Sequence, residues 1–216
     1  GFIKGRILPG LPLRQNFETF ALTNKTTNTM EPETLFAYPP LPWNSARFRF
    51  EVRNKDLAGG TNQALVKTID NKLFQRGQIF FGFPDMSNYT IEADLLSEGN
   101  KRKMSEVGLI NQRYAVILKG NSQEIEVNSN PERIKVAKPL KWSPNPWYHL
   151  KVKVDVAPDG SGTVRGKAWK KDEPEPAEWT IEVPHRTAHR SGSPGLFGFA
   201  PQEQRVAIDN IVVQAN

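Results

Sequence analysis

The sequence predicts an all-β protein, an antiparallel β-sandwich or jelly roll of about a dozen strands, and three observations carry that expectation. Apolar and polar residues alternate with period two in stretch after stretch. Turn-forming residues separate those stretches, with 17 Pro and 16 Gly in 216 residues. No window of ten or more residues shows the i, i+3, i+4, i+7 stripe of an amphipathic helix.

The clearest element runs over 150–156, where Leu150, Val152, Val154 and Val156 alternate with Lys151, Lys153 and Asp155. One side is aliphatic and the other charged, as a strand between core and water requires. Ala157-Pro158-Asp159-Gly160-Ser161-Gly162 follows as a turn, and 163–169 returns as the second arm of a hairpin. Upstream, 107–119, 124–127 and 133–137 form a meander with turns at 120–121 and 128–131. Glu124 and Glu126 then face Arg133 and Lys135, cross-strand pairs worth about 0.2–1 kcal/mol each. Alternation also marks 46–53, 63–68, 78–83, 88–96, 178–183, 195–200 and 205–213. There is no internal repeat of 20–50 residues and no βαβ rhythm.

The domain division expected is a Pro-rich segment, 1–45, that wraps on or links to the sandwich, and the sandwich itself, 46–216. The absence of a Met or a leader at Gly1 is expected of a processed or excised chain.

Composition excludes several classes of function. With no cysteine, disulfides, thiolate metal sites and cysteine nucleophiles are all ruled out. The net charge of +6 is spread along the chain, its only tight run being Lys101-Arg102-Lys103, so a nucleic-acid partner is not expected. No apolar run approaches the ~20 residues of a membrane span. His149 lies on the charged side of its strand, and His185 and His189 flank arginines in a loop. No serine sits in a nucleophile elbow and no glycine-rich loop opens a helix.

Several segments, taken together, carry a resemblance: NYTIEAD at 88–94, GLINQRY at 108–114, WYHLKV at 147–152, VRGKAW at 164–169, EPEPAEW at 173–179, GSPGLFG at 192–198 and IDNI at 208–211. Over roughly 45–213 the chain resembles a concanavalin A-like (laminin-G-like) jelly-roll module. It is most similar to the module that follows a pyrroloquinoline-quinone-binding-like β-propeller in exported bacterial proteins; the same superfamily holds 3-keto-disaccharide hydrolase-like domains. The resemblance implies the fold, an exported, periplasmic or cell-envelope location, and an upstream β-propeller as a partner. It does not imply one activity, because the superfamily holds lectins, adhesion modules and glycoside hydrolases alike.

Three groups of candidate residues follow. Glu92 and Asp94 share one face of a strand about 6–7 Å apart, a spacing at which two carboxylates can divide the work at a glycosidic bond. Glu92-Ala93-Asp94 with Glu98 resembles the Glu-x-Asp-x-x-Glu signature of jelly-roll endoglucanases, with the third carboxylate one position late. The competing reading makes them solvent-facing charges opposite Ile91, Ala93 and Leu95. Asn111, Arg113 and Trp169 form a candidate ligand-binding set, since sugar rings stack on indoles and planar polar groups take their hydroxyls. In this reading Asn111 and Arg113 share a strand face, Trp169 shares one with Arg165 and Lys167, and Trp142, Trp147 and Trp179 are packing residues. Glu18 and Asp209, close if the terminal strands pair, are candidates for a structural calcium.

The reading reached is a non-catalytic module of an exported protein that binds glycan or packs on a partner domain. Its alternatives are a glycoside hydrolase or related sugar-processing enzyme using Glu92 and Asp94, and a structural accessory to a β-propeller.

Overall fold

A computed structural model describes residues 8–26, 33–40, 42–46, 49–55, 62–67, 75–100, 102–200 and 204–216. Lys101 of the basic run and parts of the Pro-rich segment lie outside them. Among the described residues there is no helix, and therefore none long and apolar enough to cross a membrane.

The strands are β1 (Leu13–Gln15), β2 (Asn24–Lys25), β3 (Leu35–Phe36), β4 (Phe50–Asn54), β5 (Gln63–Lys67), β6 (Arg76–Phe80), β7 (Tyr89–Ser97), β8 (Gly99–Asn100), β9 (Lys103–Met104), β10 (Glu106–Asn111), β11 (Tyr114–Lys119), β12 (Glu124–Ser129), β13 (Ile134–Pro139), β14 (Tyr148–Val156), β15 (Gly162–Lys170), β16 (Ile181–His185), β17 (Gly195–Phe199) and β18 (Val206–Ala215). Two sheets contain most of them. An eight-stranded sheet runs β16-β15-β14-β7-β18-β5-β4, with β1 also pairing with β18. A six-stranded sheet runs β13-β12-β11-β10-β17-β6, and all the strand pairs in both sheets are antiparallel.

The expected all-β jelly-roll sandwich is therefore the fold. Its core lies where β10 packs across β7 and β14. Tyr89, Ile91, Ala93 and Leu95 of β7 point inward with Leu150, Val152 and Val154 of β14, and meet Val107, Leu109, Val116 and Leu118 from the other sheet, all without solvent exposure. The alternation that predicted β14 decides this, because the residues between, Glu92, Asp94, His149 and Lys151, are left on the outer face. Leu13 and Phe17 join the core from the N-terminal side, where β1 pairs with the last strand.

The stretch 107–119 is two strands, not one. Gln112 and Arg113 both have positive φ (47° and 73°) and close a two-residue hairpin between β10 and β11. Neither is the Gly or Asn that usually marks such a turn. Tertiary hydrogen bonds hold Gln112 there: its backbone N–H donates to the Tyr89 hydroxyl (3.0 Å), its side-chain oxygen accepts from Asn88 N (2.7 Å), and its amide donates to His189 O (2.8 Å).

Candidate functional site on the outer face of the eight-stranded sheet

Register assembles this site. In the middle of the sheet His149 stands opposite Asp94 on one side and Trp169 on the other, Lys151 opposite Glu92 and Lys167, and Asp209 opposite Asp94. Consecutive turns of the pleat thus place Glu92, Asp94, His149, Trp169 and Asp209 on one surface.

Asp94 is the hub. Its Oδ1 bonds His149 Nδ1 at 2.8 Å, and its Oδ2 accepts from Asn210 Nδ2 (2.8 Å) and lies 2.6 Å from Lys171 Nζ. Burial pushes its pKa upward, but bonds to His149, Lys171 and Asn210 outweigh it and hold the carboxyl below its usual range. Glu92 lies 3.1 Å from Lys151 Nζ and 3.6 Å from His149 Nε2, and its pKa is lowered chiefly by His149, against burial and with help from Lys151. Burial disfavours the charged His149, yet Asp94 and Glu92 together raise it to about 9, so it is an imidazolium at neutral pH.

Asp209 behaves oppositely. A register shift between Asp209 and Val212 marks a β-bulge, and Asn210 within it has φ 49°. The bulge lets Asn210 donate its backbone N–H to Asp209 Oδ1 (2.7 Å) and its amide both to Asp209 Oδ2 (3.3 Å) and to Asp94 Oδ2. Burial comes first in raising the Asp209 carboxyl to about 6, and the neighbouring charges of Asp94 and Glu18 add to it against Asn210 and Lys171. Two carboxylates sharing one amide donor are thus shifted in opposite directions.

Aromatic rings border this polar lane. Trp169 packs its ring on His149 (centroids 4.7 Å apart), Lys171 lies over Trp147 (6.0 Å), and Lys167 lies over Trp179 (4.8 Å). All three indoles are half-buried on the outer face. Trp147 rests on the apolar patch Ala64, Val66, Leu96 and Ala207. Trp179 lies ahead of β16, outside the strand whose parity had assigned it to the core, and the 171–179 loop turns it back over the sheet. Lys167 ties that loop down through Pro176 O (2.7 Å) and Glu175 (2.9 Å). Trp142 is the true packing residue, 4% exposed with its N–H donated to Lys119 O.

The other sequence candidates lie elsewhere. Asn111 is not on a ligand-facing surface: it is fully buried, and its amide donates across the core to Tyr89 O (2.7 Å) and Val152 O (3.2 Å), tying the two sheets together. Arg113 is exposed in the hairpin turn, so Asn111 and Arg113 share no strand face. Glu98 follows β7 and pairs with Lys55 (2.7 Å) and Arg205 (3.3 Å), away from Glu92 and Asp94. Glu18 is near enough to Asp209 to raise its pKa, but Glu18 Oε1 accepts from Gln63 N (3.1 Å) and both Asp209 oxygens face Asn210 donors. Calcium requires six to eight converging oxygens. Among the described residues no group of three or more His, Asp or Glu side chains is placed to hold a metal, and the cation on Asp94 is Lys171. His185 and His189 are engaged at another place, with Tyr114 (2.6 Å) and Ser129 (2.7 Å) respectively.

Two antiparallel sheets in this strand order make a jelly-roll sandwich. No family model and no curated protein matches the chain by sequence. Solved structures do match by fold. A β-glucanase from Bacillus licheniformis superposes with a TM-score of 0.55 at 9% identity, covering 96% of this chain and 99% of that one. The carbohydrate-binding module CBM66 from Bacillus subtilis gives 0.51 at 14% over 70% of this chain and 86% of its own. The exoplasmic/lumenal domain of VIP36 in a Ca2+- and Man-bound form gives 0.53 at 14%, covering 81% and 83%. At these identities the likeness is one of fold.

Proposed function

We propose that this chain is a non-catalytic carbohydrate-binding module of an exported bacterial envelope protein, and that it takes its glycan on the outer face of the eight-stranded sheet. The observation that carries the reading is the set of three half-buried indoles, Trp147, Trp169 and Trp179, arranged around a lane of Glu92, His149 and Lys171. Sugar rings present C–H faces to indole and hydroxyls to charged donors and acceptors, which this alternation supplies. Asp94, nearly buried with three partners, positions His149 and Lys171 and does not reach the ligand itself. The similarity in fold to a carbohydrate-binding module and to a Man-bound domain supports the reading. Glu92 and Asp94 are both held ionised, so neither serves as a proton donor at neutral pH. A glycan array followed by titration of the best ligand tests the proposal: wild type binds, and Trp169→Ala weakens binding at least tenfold with the fold intact. Full retention of affinity in a Trp147→Ala, Trp169→Ala, Trp179→Ala triple variant would refute it.

One observation favours a second reading, sugar hydrolysis, but with a different pair. Asp94 and Asp209 stand opposite each other in register and share the Asn210 amide donor, so the two carboxyls lie side by side, as a glycosidase's paired carboxyls must. Their divergent pKa values suit a nucleophile and an acid. Release of reducing ends from a β-glucan by wild type, abolished in Asp209→Asn, is the result that would install this reading in place of the first.

A further inference from the structure

The opposite surface of the sandwich, the outer face of the six-stranded sheet, has the build of a second binding site. Register sets Gln78, Phe197, Gly108, Ile117 and Glu126 in one transverse line across β6, β17, β10, β11 and β12. At strand spacings of about 4.8 Å that line spans about 19 Å. Phe197 and Ile117 are packed tightly in a small apolar cluster separate from the main core, and Gly108 leaves the floor between them flat. A Cβ at Gly108 would collide with the Val116 backbone, so the flatness is imposed by the close approach of β11. A groove of about 340 Å3 lies over this floor, the size class of a small-ligand site.

Its walls are polar and chemically sorted. Glu106 is matched by Lys119 (2.7 Å), and Glu126 by Asn128 (2.8 Å) and Lys135 (3.7 Å). The carboxylates are thereby neutralised by their own neighbours. Arg76 has a different environment: its guanidinium lies over the rings of Phe199 (4.9 Å) and Phe197 (5.8 Å). A guanidinium packed on rings keeps its in-plane N–H fork for a bidentate acceptor. Arg49 lines the same groove.

We propose that this groove binds an acidic saccharide unit, its ring resting on the Phe197–Gly108–Ile117 floor and its carboxylate taken bidentately by Arg76. The site is independent of the indole-bordered face, and the two together make the module able to hold two glycan segments on opposite surfaces. The apolar floor selects a ring over a bare anion, and the arginine selects a uronate over a neutral sugar.

Calorimetric titration of the full chain with an oligogalacturonate, its neutral galactose counterpart and inorganic sulfate tests this. The expected result is that the uronate oligomer binds at least tenfold more tightly than the neutral one and that Arg76→Gln removes the preference. Arg76→Lys, which keeps the charge and loses the fork, is expected to lie between. Trp169→Ala is expected to leave uronate binding unchanged, whatever it does to neutral glycans on the other face. Absence of uronate binding, binding undiminished in Arg76→Gln, loss of it in Trp169→Ala, or displacement of the oligomer by sulfate at concentrations equal to those of monomeric uronate would each overturn the proposal. Arg76 is exposed at a strand end, and a superimposable melting curve for Arg76→Gln confirms that any loss is local.

Discussion

Replacing Asp209 by Asn is expected to stabilise the protein, against the usual direction for a buried polar substitution. Asp209 is 3% exposed, next to the ionised Asp94, and its pKa is raised from 3.8 to about 6. At about 1.4 kcal/mol per pKa unit, ionising it in the fold costs about 3 kcal/mol at neutral pH. Asn preserves the volume and the acceptor for the Asn210 backbone N–H, but loses the weaker 3.3 Å bond to the Asn210 amide. The net gain is thus about 1.5–3 kcal/mol, or about 4–10 °C in Tm for a chain of this size. The sign with pH follows from the raised value. The protonated carboxyl's favourable share of stability is complete below pH 3.8 and lost as pH rises through about 6. The difference between variant and wild type should therefore be near zero at pH 4, grow through pH 5–6 and level off by pH 7.5. Urea denaturation of both proteins across that range measures it, and a pH-independent difference, or a variant less stable than wild type at pH 7.5, would refute the reasoning.

Other consequences are equally direct. His149→Gln is expected to lose about 1–3 kcal/mol of stability at pH 6. Because the His149 pKa is raised to about 9, that loss is complete below pH 6.5 and disappears as pH rises through about 9, which thermal melts at pH 6 and pH 10 will show. Asn111→Ala leaves two buried carbonyls without their donor and should cost about 2–4 kcal/mol, while leaving ligand affinity at either outer face unaltered in titrations below the melting range. Chelator or millimolar calcium should leave Tm unchanged, since Glu18 accepts from Gln63 N and both Asp209 oxygens accept from Asn210; a rise of several degrees with calcium that is lost in Glu18→Gln would contradict this.

The parts of this molecule legible in its sequence are those governed by local period. The inward Leu150, Val152 and Val154 and the outward Lys151 and Lys153 follow from alternation, as do the hairpin at 157–161 and the shared outer face of Glu92 and Asp94. The illegible parts depend on partners distant in the chain. The turn at Gln112–Arg113 has no glycine to announce it and is held by Asn88, Tyr89 and His189. Asp94 meets Asp209 only because β7 pairs with β18, and the bulge that brings in Asn210 leaves no period to read. Trp147 was open to recognition, since it sits two residues before His149 and so shares its face. Trp179 was not, because the loop from 171 breaks the parity that Ile181 and Val183 suggested.

The central claim is that the indoles of the eight-stranded face meet a glycan. The chain has five tryptophans, hence five indole N–H resonances, and titrating the protein with its best array ligand while following them reports contact residue by residue. Trp147, Trp169 and Trp179 are expected to shift together in a saturable manner, with Trp142 and Trp43 unmoved in the interior and at Phe81. Saturable shifts confined to Trp43 or Trp142, or a bound ligand that moves none of the three, would contradict it.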